Sequence, residues 1–279
     1  MTRTRTPGRP RSGRGRASLP RIKGIERIAL GVLGIAGVAA AFELIPRVGL
    51  VSPRYLPPTS AMLGALGREA ATLAFWRALL DTIEGWALGL AIAVAAGAVA
   101  GVAIGSWRGL RAATASTIEF LRPIPSVALI PVAVLLYGAQ LRSTLLLVVY
   151  ASFWPVLLQV IDGVGDVDPV ARDTARSYRL PRWAMIRHLI LPTALPYLLT
   201  GVRLSAAVAL ILAITAELVI GAPGLGHEIE VARVSSAVPL LYALIVVVGL
   251  LGVAVNVGFR ALERRVLAWH PSVRREAAA

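Results

Sequence analysis

Six apolar stretches dominate this chain, running about Ile28–Gly49, Ile83–Ser106, Ala113–Gly138, Ser143–Val164, Thr193–Ile220 and Pro239–Phe259. Each reaches the roughly 20 residues that a helix needs to cross the hydrocarbon core of a bilayer. Charge is confined to short clusters between them and amounts to 16% of the residues, against about a quarter in soluble domains. The pattern predicts an all-α polytopic membrane protein. Cysteine is absent from the sequence, which excludes disulfides, thiol chemistry and cysteine metal sites.

The formal net charge of +14 raises the possibility of nucleic-acid binding, most of all at the Arg-rich N-terminus. No aromatic or sequence-reading module accompanies that charge. Residues 1–27 are rich in Gly, Pro, Ser and Arg, a composition expected of a disordered basic tail that holds its end of the chain in the cytoplasm. Ala39-Ala40-Ala41 loosely resembles a signal-peptidase site, but the basic region is too long for a leader, and an uncleaved first span is expected.

With the N-terminus inside, the expected cytoplasmic segments carry 21 Lys and Arg residues and the external ones carry six; Arg122 and Arg203 fall within spans. This bias fits six spans with both termini cytoplasmic. Asp166–Leu191 then lies in the cytoplasm, whereas Tyr55–Arg77, as a loop or amphipathic helix, and the loop Gly221–Ala237 lie outside. The domain reading follows: tail 1–27, transmembrane domain 28–260 with a cytoplasmic insert at 166–191, and a cytoplasmic C-terminal tail 261–279.

Several residues in the spans suggest mechanism. Gly85, Gly89, Ala93, Gly97, Gly101 and Gly105 recur every four residues and so share one face, where another backbone can approach closely. Gly201, Ser205, Ala209 and Ala213 repeat the pattern in the fifth span. Ionisable groups inside spans are functional candidates, and Arg203 and Glu217 lie deepest. Four turns of helix separate them, so each needs a partner elsewhere or a water-filled cavity. Glu43, Glu84, Glu119 and Asp162 fall at span ends, where interfacial placement is the simpler reading. Arg122, Pro123 and Pro125 interrupt backbone hydrogen bonding at membrane depth and suggest a pathway wall or hinge; Pro155 reads as a structural kink.

Catalytic chemistry is not evident. There is no GxxxxGK[ST] phosphate loop, and Lys23 is the only lysine, so an ATP site of that type is excluded. His188, His227 and His270 have no metal-ligand spacing and are expected at the surface.

The insert Asp166–Pro192 is polar and Arg-rich between apolar spans. Asp168 suits an N-cap and Pro169 the first helical position, predicting a short helix over Val170–Tyr178. A second is expected from Arg182 to Leu191, ending before Pro192. Two helices joined by a tight turn form a knob at the base of the fourth and fifth spans, a docking surface rather than a solvated loop.

Asp168-Pro169, Asp173-Thr174-Ala175, Arg179 and Leu189-Ile190-Leu191-Pro192 resemble the coupling-loop signature of ABC importer permeases of the binding-protein-dependent type. Ala194-Leu195-Pro196, Gly201-Val202-Arg203, Ala216-Glu217-Leu218 and Gly224-Leu225-Gly226 extend the likeness. Leu56-Pro57-Pro58 and Arg122-Pro123-Ile124-Pro125 resemble its nitrate/sulfonate/taurine branch, and the match spans most of residues 50–260. The resemblance implies a type I ABC importer permease fold in a bacterial cytoplasmic membrane. It also implies an external solute-binding protein, a separate ATPase dimer holding ATP and magnesium, and a second permease copy. Asp168, Pro169, Asp173, Thr174, Ala175, Tyr178 and Arg179 are then the ATPase contact. Arg122, Pro123, Pro125, Arg203 and Glu217 fall to the pathway or its gate.

This chain departs from the signature in carrying Asp173 for the usual Glu, Thr174 for Ala and Arg179 for Gly. Arg179 occupies a position that calls for a left-handed residue, and Pro181 offers a way to reshape the turn. An ion-coupled secondary transporter using Glu217 or Arg203 is the alternative, although the two halves of the chain show no internal repeat. A membrane scaffold that uses the knob only for docking is a third reading.

Overall fold

The computed structural model describes residues 24–268, and all regular structure within them is helical. The long apolar helices are α1 (Gly24–Arg47), α3 (Leu73–Ser106), α6 (Leu141–Gly165), α9 (Leu191–Ile220) and α11 (Val238–Val266). Shorter helices join them: α2 (Thr59–Ala70), α4 (Arg108–Leu121), α5 (Ile130–Tyr137), α7 (Pro169–Ser177), α8 (Arg182–Met185) and α10 (Leu225–Val234). Five helical stretches are long and apolar enough to cross a membrane, or six if α4 and α5 form one broken span. Most of the expected basic tail, the end of the C-terminal tail and His270 lie outside the described residues; residues 24–27 already belong to α1, and α11 runs on to Val266.

The third expected span departs furthest from the sequence reading, because α4 and α5 meet at a bend of 81°. Pro123 and Pro125 supply no N–H, and Pro125 is extended at φ −62° and ψ 119°, so helical bonding lapses until the 3-10 turn at Ser126–Leu129. Tyr150 of α6 donates its hydroxyl to Leu121 O at 2.7 Å, which satisfies a carbonyl at the end of α4. The second span starts ten residues earlier than expected. Thr72 caps α3 by accepting from Phe75 N at 3.2 Å, and Phe75 and Ala78 pack against Leu225, Ile229 and Leu244. The expected loop Gly221–Ala237 instead contains α10.

Helices α3, α6 and α9 form the core, with α6 between the other two. Gly89, Gly97, Gly101 and Gly105 of α3 each lie against one valine of α6, Val148, Val156, Val160 and Val164, spaced eight, four and four positions apart. A Cβ built on Gly101 would lie 2.7 Å from Val160 Cβ, and one on Gly105 2.8 Å from Val164 Cβ. Each valine occupies the space that a side chain on α3 would need. In lipid, burying apolar surface between helices gains little, so this close van der Waals approach is what holds them together.

The other side of α6 meets α9 in the same way. Gly201 sits over Pro155 O and Val156 Cα, each 3.2 Å from a Cβ built on it. Ser205 Oγ donates to Ser152 O at 2.6 Å and Ser152 Oγ to Ser205 O at 3.3 Å, a reciprocal pair in a buried setting. Trp86 of α3 donates to Ala206 O at 2.9 Å and adds a third tie. Helix α1 packs on α2, where Thr59 Oγ1 donates to Ala39 O and Glu43 accepts from Ser60 N, each at 2.8 Å.

Gly101→Ala should lower stability by roughly 1–3 kcal/mol through overpacking. Gly34→Ala has open space around it and should be neutral or stabilising by up to about 1 kcal/mol. Thermal unfolding in detergent measures both, and equal responses would remove the seam as the basis of α3–α6 packing.

Candidate functional site

The insert is built by local bonds that the sequence specifies. Asp168 accepts from Val170 N at 2.8 Å and caps α7, with Pro169 at its first position. Thr174 Oγ1 returns to Val170 O at 2.8 Å and Ser177 Oγ to Asp173 O at 3.0 Å. The side chains of Asp173 and Arg176 are paired at 3.3 Å and exposed, and Ala175 lies between them on the same helix. Arg172 reaches back to Val164 O at 3.1 Å, binding the end of α6 to the knob.

Pro181 does not reshape the turn. Arg179 takes the left-handed conformation at φ 51°, donating its N–H to Arg176 O at 2.8 Å, while Leu180 N donates to Ala175 O at 3.0 Å. This 5→2 and 6→1 pair is a Schellman close. For an L-residue that conformation costs about 1–2 kcal/mol; the two closing hydrogen bonds offset it. The Arg179 side chain points outward, exposed at the tip of the knob.

The second insert helix does not end before Pro192. Helix α8 passes into a π-helical turn at Ile186–Ile190 and then directly into α9. Leu191 N bonds Ile186 O, five residues back, and Pro192 sits in the first turn of α9, where its missing N–H disturbs little. One uninterrupted helical path therefore runs from Trp183 to Ile220. Val167 and Ile190 are buried with Val156, Val160, Val164 and Ala194, and Tyr197 donates to Asp166 Oδ2 at 2.8 Å. The knob is thus joined firmly to both α6 and α9.

Its outer surface carries apolar groups on a polar frame. Val170, Tyr178 and Trp183 are 72%, 78% and 70% exposed. Sequence reasoning singled out Tyr178 but overlooked Val170 and Trp183, although an aromatic residue flanked by polar neighbours in an amphipathic insert was a signal available to it. Between the knob and the end of α3 lies a cleft of about 670 Å³, lined by Trp107, Arg172, Arg176, Met185 and Ile186.

The residues expected at the pathway do not converge. Arg122 and Pro123 line a cavity of about 520 Å³ together with Arg111, Glu119 and Asp162, and Pro125 follows at the α4–α5 bend. Arg203 pairs with Glu263 of α11 at 3.0 Å, towards the insert end of the bundle. Glu217 lies at the opposite end of α9 and is fully buried. Its Oε2 accepts from Thr82 Oγ1 at 2.8 Å and from Gly226 N at 2.9 Å, while Thr82 Oγ1 accepts from Leu225 N at 2.8 Å. Glu217 and Thr82 therefore satisfy the first free N–H groups of α10.

This close approach explains Gly224-Leu225-Gly226. Gly224 has φ 149° and any Cβ there would overlap the Glu217 carboxylate, while one on Gly226 would overlap Ile214 O. His227 also departs from expectation. It is half-buried, and its Nδ1 is buried without a hydrogen-bond partner among the described residues, because α10 folds back onto α9.

Sequence reasoning overlooked a second region as well. A groove of about 800 Å³ on the face of α6 is lined by Tyr137, Arg142, Tyr150, Phe153 and Trp154, with aliphatic neighbours. Trp154 Nε1 is buried without a partner among the described residues. The groove offers a guanidinium and an indole N–H but no carboxylate.

Glu217→Ala should lower stability by about 2–4 kcal/mol by stripping two buried donors of their acceptor, and Glu217→Gln by less because an amide oxygen still accepts. Combined with Thr82→Val, the loss should fall short of the sum of the two single effects. Denaturant-unfolding midpoints decide both expectations.

Residues 87–268 match the family described as binding-protein-dependent transport system inner membrane component. The chain is 31% identical over 254 residues to the taurine transport system permease protein TauC of Escherichia coli K12, covering 88% of this chain and 92% of that one. It is 28% identical to the putative aliphatic sulfonates transport permease protein SsuC of Bacillus subtilis 168, with coverages of 87% and 88%. The riboflavin transport system permease protein RibX of Chloroflexus aurantiacus is 26% identical, with coverages of 91% and 96%. Among solved structures, a chain from inward-facing conformations of the MetNI methionine ABC transporter superposes with a TM-score of 0.61 at 15% identity, covering 69% of this chain and 96% of that one. That likeness concerns the fold, which is the type I importer permease fold.

Proposed function

The chain belongs to the binding-protein-dependent transport system inner membrane components, and from that premise we propose that it is the permease subunit of an ATP-driven importer for a small sulfonate-class organic anion. It is a multi-pass inner-membrane permease, and ATP hydrolysis belongs to a separate chain. In this reading the insert faces the cytoplasm and two copies of the permease pair. An ATPase dimer grips their two knobs, and an external binding protein delivers solute to the opposite end.

The observation that carries the coupling role is the uninterrupted helical path from Trp183 to Ile220. Force applied to Tyr178, Arg179 or Trp183 passes along a rigid element into the membrane core, and Arg172 passes it to α6 as well. Two domains that must move together need such a link, because a flexible loop would absorb the displacement. Aromatic groups at exposed positions are the usual anchors of a protein interface. Asp173 and Thr174 lie on the short helix α7, which Tyr178 follows directly.

The solute class rests on the groove on α6. Arg142 and the Trp154 N–H are both donors, and aromatic and aliphatic side chains form the rest of its wall. That combination suits a small anion with a hydrocarbon portion. Taurine and aliphatic sulfonates are the solutes named for two of the relatives. Arg122 at the α4–α5 bend stands as a second cationic position along the path.

The double substitution Tyr178→Ala and Trp183→Ala should weaken association with the ATPase at least about tenfold and abolish uptake without lowering the unfolding temperature. Arg142→Gln should reduce ATP-dependent uptake of ethanesulfonate by about tenfold in proteoliposomes and leave ATPase association intact. Uptake driven by an ion gradient in the absence of ATP would overturn the importer reading.

A further inference from the structure

At the end of the bundle opposite the insert, a separate cavity of about 220 Å³ opens where the start of α3, the start of α6 and the end of α9 meet. Asp81 and Glu84 of α3 and Glu217 of α9 line it, together with Gln140, Thr144 and Pro223. No Lys, Arg or His is among its lining residues. Glu217 is buried, Asp81 half-buried and Glu84 exposed, and this acidic lining, partly enclosed in a membrane protein, favours a cation.

Two further observations point to a ligand. Thr144 is 2% exposed, and its Oγ1 has no hydrogen-bond partner among the described residues. A helical threonine in an apolar setting ordinarily returns its hydroxyl to the carbonyl four residues back. Thr114, Thr193, Thr200 and Thr215 all do so, at 2.7–2.8 Å for three of them and 3.0 Å for Thr200. Thr144, a lining residue of the cavity, instead leaves its buried hydroxyl unpartnered among the described residues. The second observation is that both hydrogen bonds to Glu217 fall on Oε2, leaving Oε1 without one among the described residues.

The acidic groups do not converge on one point. Among the described residues, no three Asp, Glu or His side chains are arranged to hold a metal ion. The occupant therefore takes fewer than three carboxylates and completes its contacts on a neutral acceptor. A primary ammonium has three N–H donors and a compact charge. Those donors match in kind Glu217 Oε1, the Thr144 hydroxyl and an α3 carboxylate, all from residues lining the cavity, whose volume of about 220 Å³ admits a short carbon chain.

We propose that the cavity lined by Asp81, Glu84, Thr144 and Glu217 is a binding site for a primary ammonium group, carried either by a free alkylamine or by the amino end of a transported solute. The site does not depend on the sulfonate reading, since its chemistry comes from these side chains alone. It lies across the Gly138–Arg142 turn from the donor-lined groove, because Gln140 and Leu141 border the cavity and Arg142 borders the groove. A solute with an ammonium at one end and an anion at the other would find a complement on each side of that turn.

The test is ligand-induced thermal stabilisation of the purified full chain in nanodiscs, without ATPase or nucleotide, so that its outcome is independent of the importer reading. Ethylammonium chloride should raise the unfolding temperature saturably, above equal concentrations of sodium chloride and of tetramethylammonium chloride, which lacks N–H donors. Thr144→Val, close to isosteric, should weaken the apparent affinity about fivefold, as expected for one lost hydrogen bond. Thr144→Ser should restore it, and Asp81→Asn and Glu84→Gln should each weaken it. Taurine and ethanesulfonate separate the two sources of the ammonium. Stabilisation by taurine and ethylammonium but not by ethanesulfonate supports a solute-borne amine, and stabilisation by ethylammonium alone supports a free one. If sodium and tetramethylammonium match ethylammonium, or if Thr144→Val and Asp81→Asn both leave its effect unchanged, the site is overturned.

Discussion

The seam between α3 and α6 is the contact on which the rest of this protein depends. In a bilayer, a helix gains little by trading lipid for protein on its apolar surface, so association rests on how closely two backbones can approach. Small residues every four positions on one helix, four of their glycines set against four valines on the other, make that approach possible over several turns. Because α6 is held on one side by α3 and on the other by α9 through Gly201 and the Ser152–Ser205 pair, it becomes the fixed centre of the molecule. The donor-lined groove, the acidic cavity and the knob are all referred to it.

That rigidity extends to the insert. A knob attached to mobile helices would dissipate displacement, whereas this one is tied to α6 by Arg172 and continues into α9 without a break. Pro192, which might have separated knob from span, falls in the first turn of α9, after a π-helical turn has rearranged the bonding ahead of it. Arg179 supports the same conclusion from the other side. The turn keeps its left-handed close despite an unfavourable residue, which indicates that the geometry is required while the side chain is free to serve a contact. At the far end of the bundle, Glu217 locks α3, α9 and α10 together, so the two ends of α9 are constrained by different means.

The insert's first helix was readable in detail because its determinants are local: Asp168, Pro169 and the spacing of Thr174 and Ser177 act within a turn or two. The small-residue stripes were equally visible, since four-residue spacing needs only a helix to become a face. The α4–α5 bend was signalled by Pro123 and Pro125, but its angle was not, because prolines remove bonds without specifying where the chain goes next. Trp183 was overlooked, and Arg142 was noted only as one charge in a count. Exposure on a knob, or position on a groove wall, appears only when neighbouring helices are in place. Arg203 and Glu217 were expected to find either partners or a water-filled cavity; the structure gives them Glu263 and Thr82, which nothing local could identify.

By itself, the sequence determined the helical membrane class, the short capped helix of the insert and the faces along which helices pack, because each depends on spacing within one helix or on its capping residues. Tertiary structure alone decided which face met which. It set valines against glycines, turned Glu217 into the cap of α10, carried the helix through Pro192, and lined one cavity with three acidic residues and an unpartnered threonine. Those outcomes join residues as far as 143 positions apart, as Thr82 and Leu225 are, and only the packed bundle brings such residues into contact.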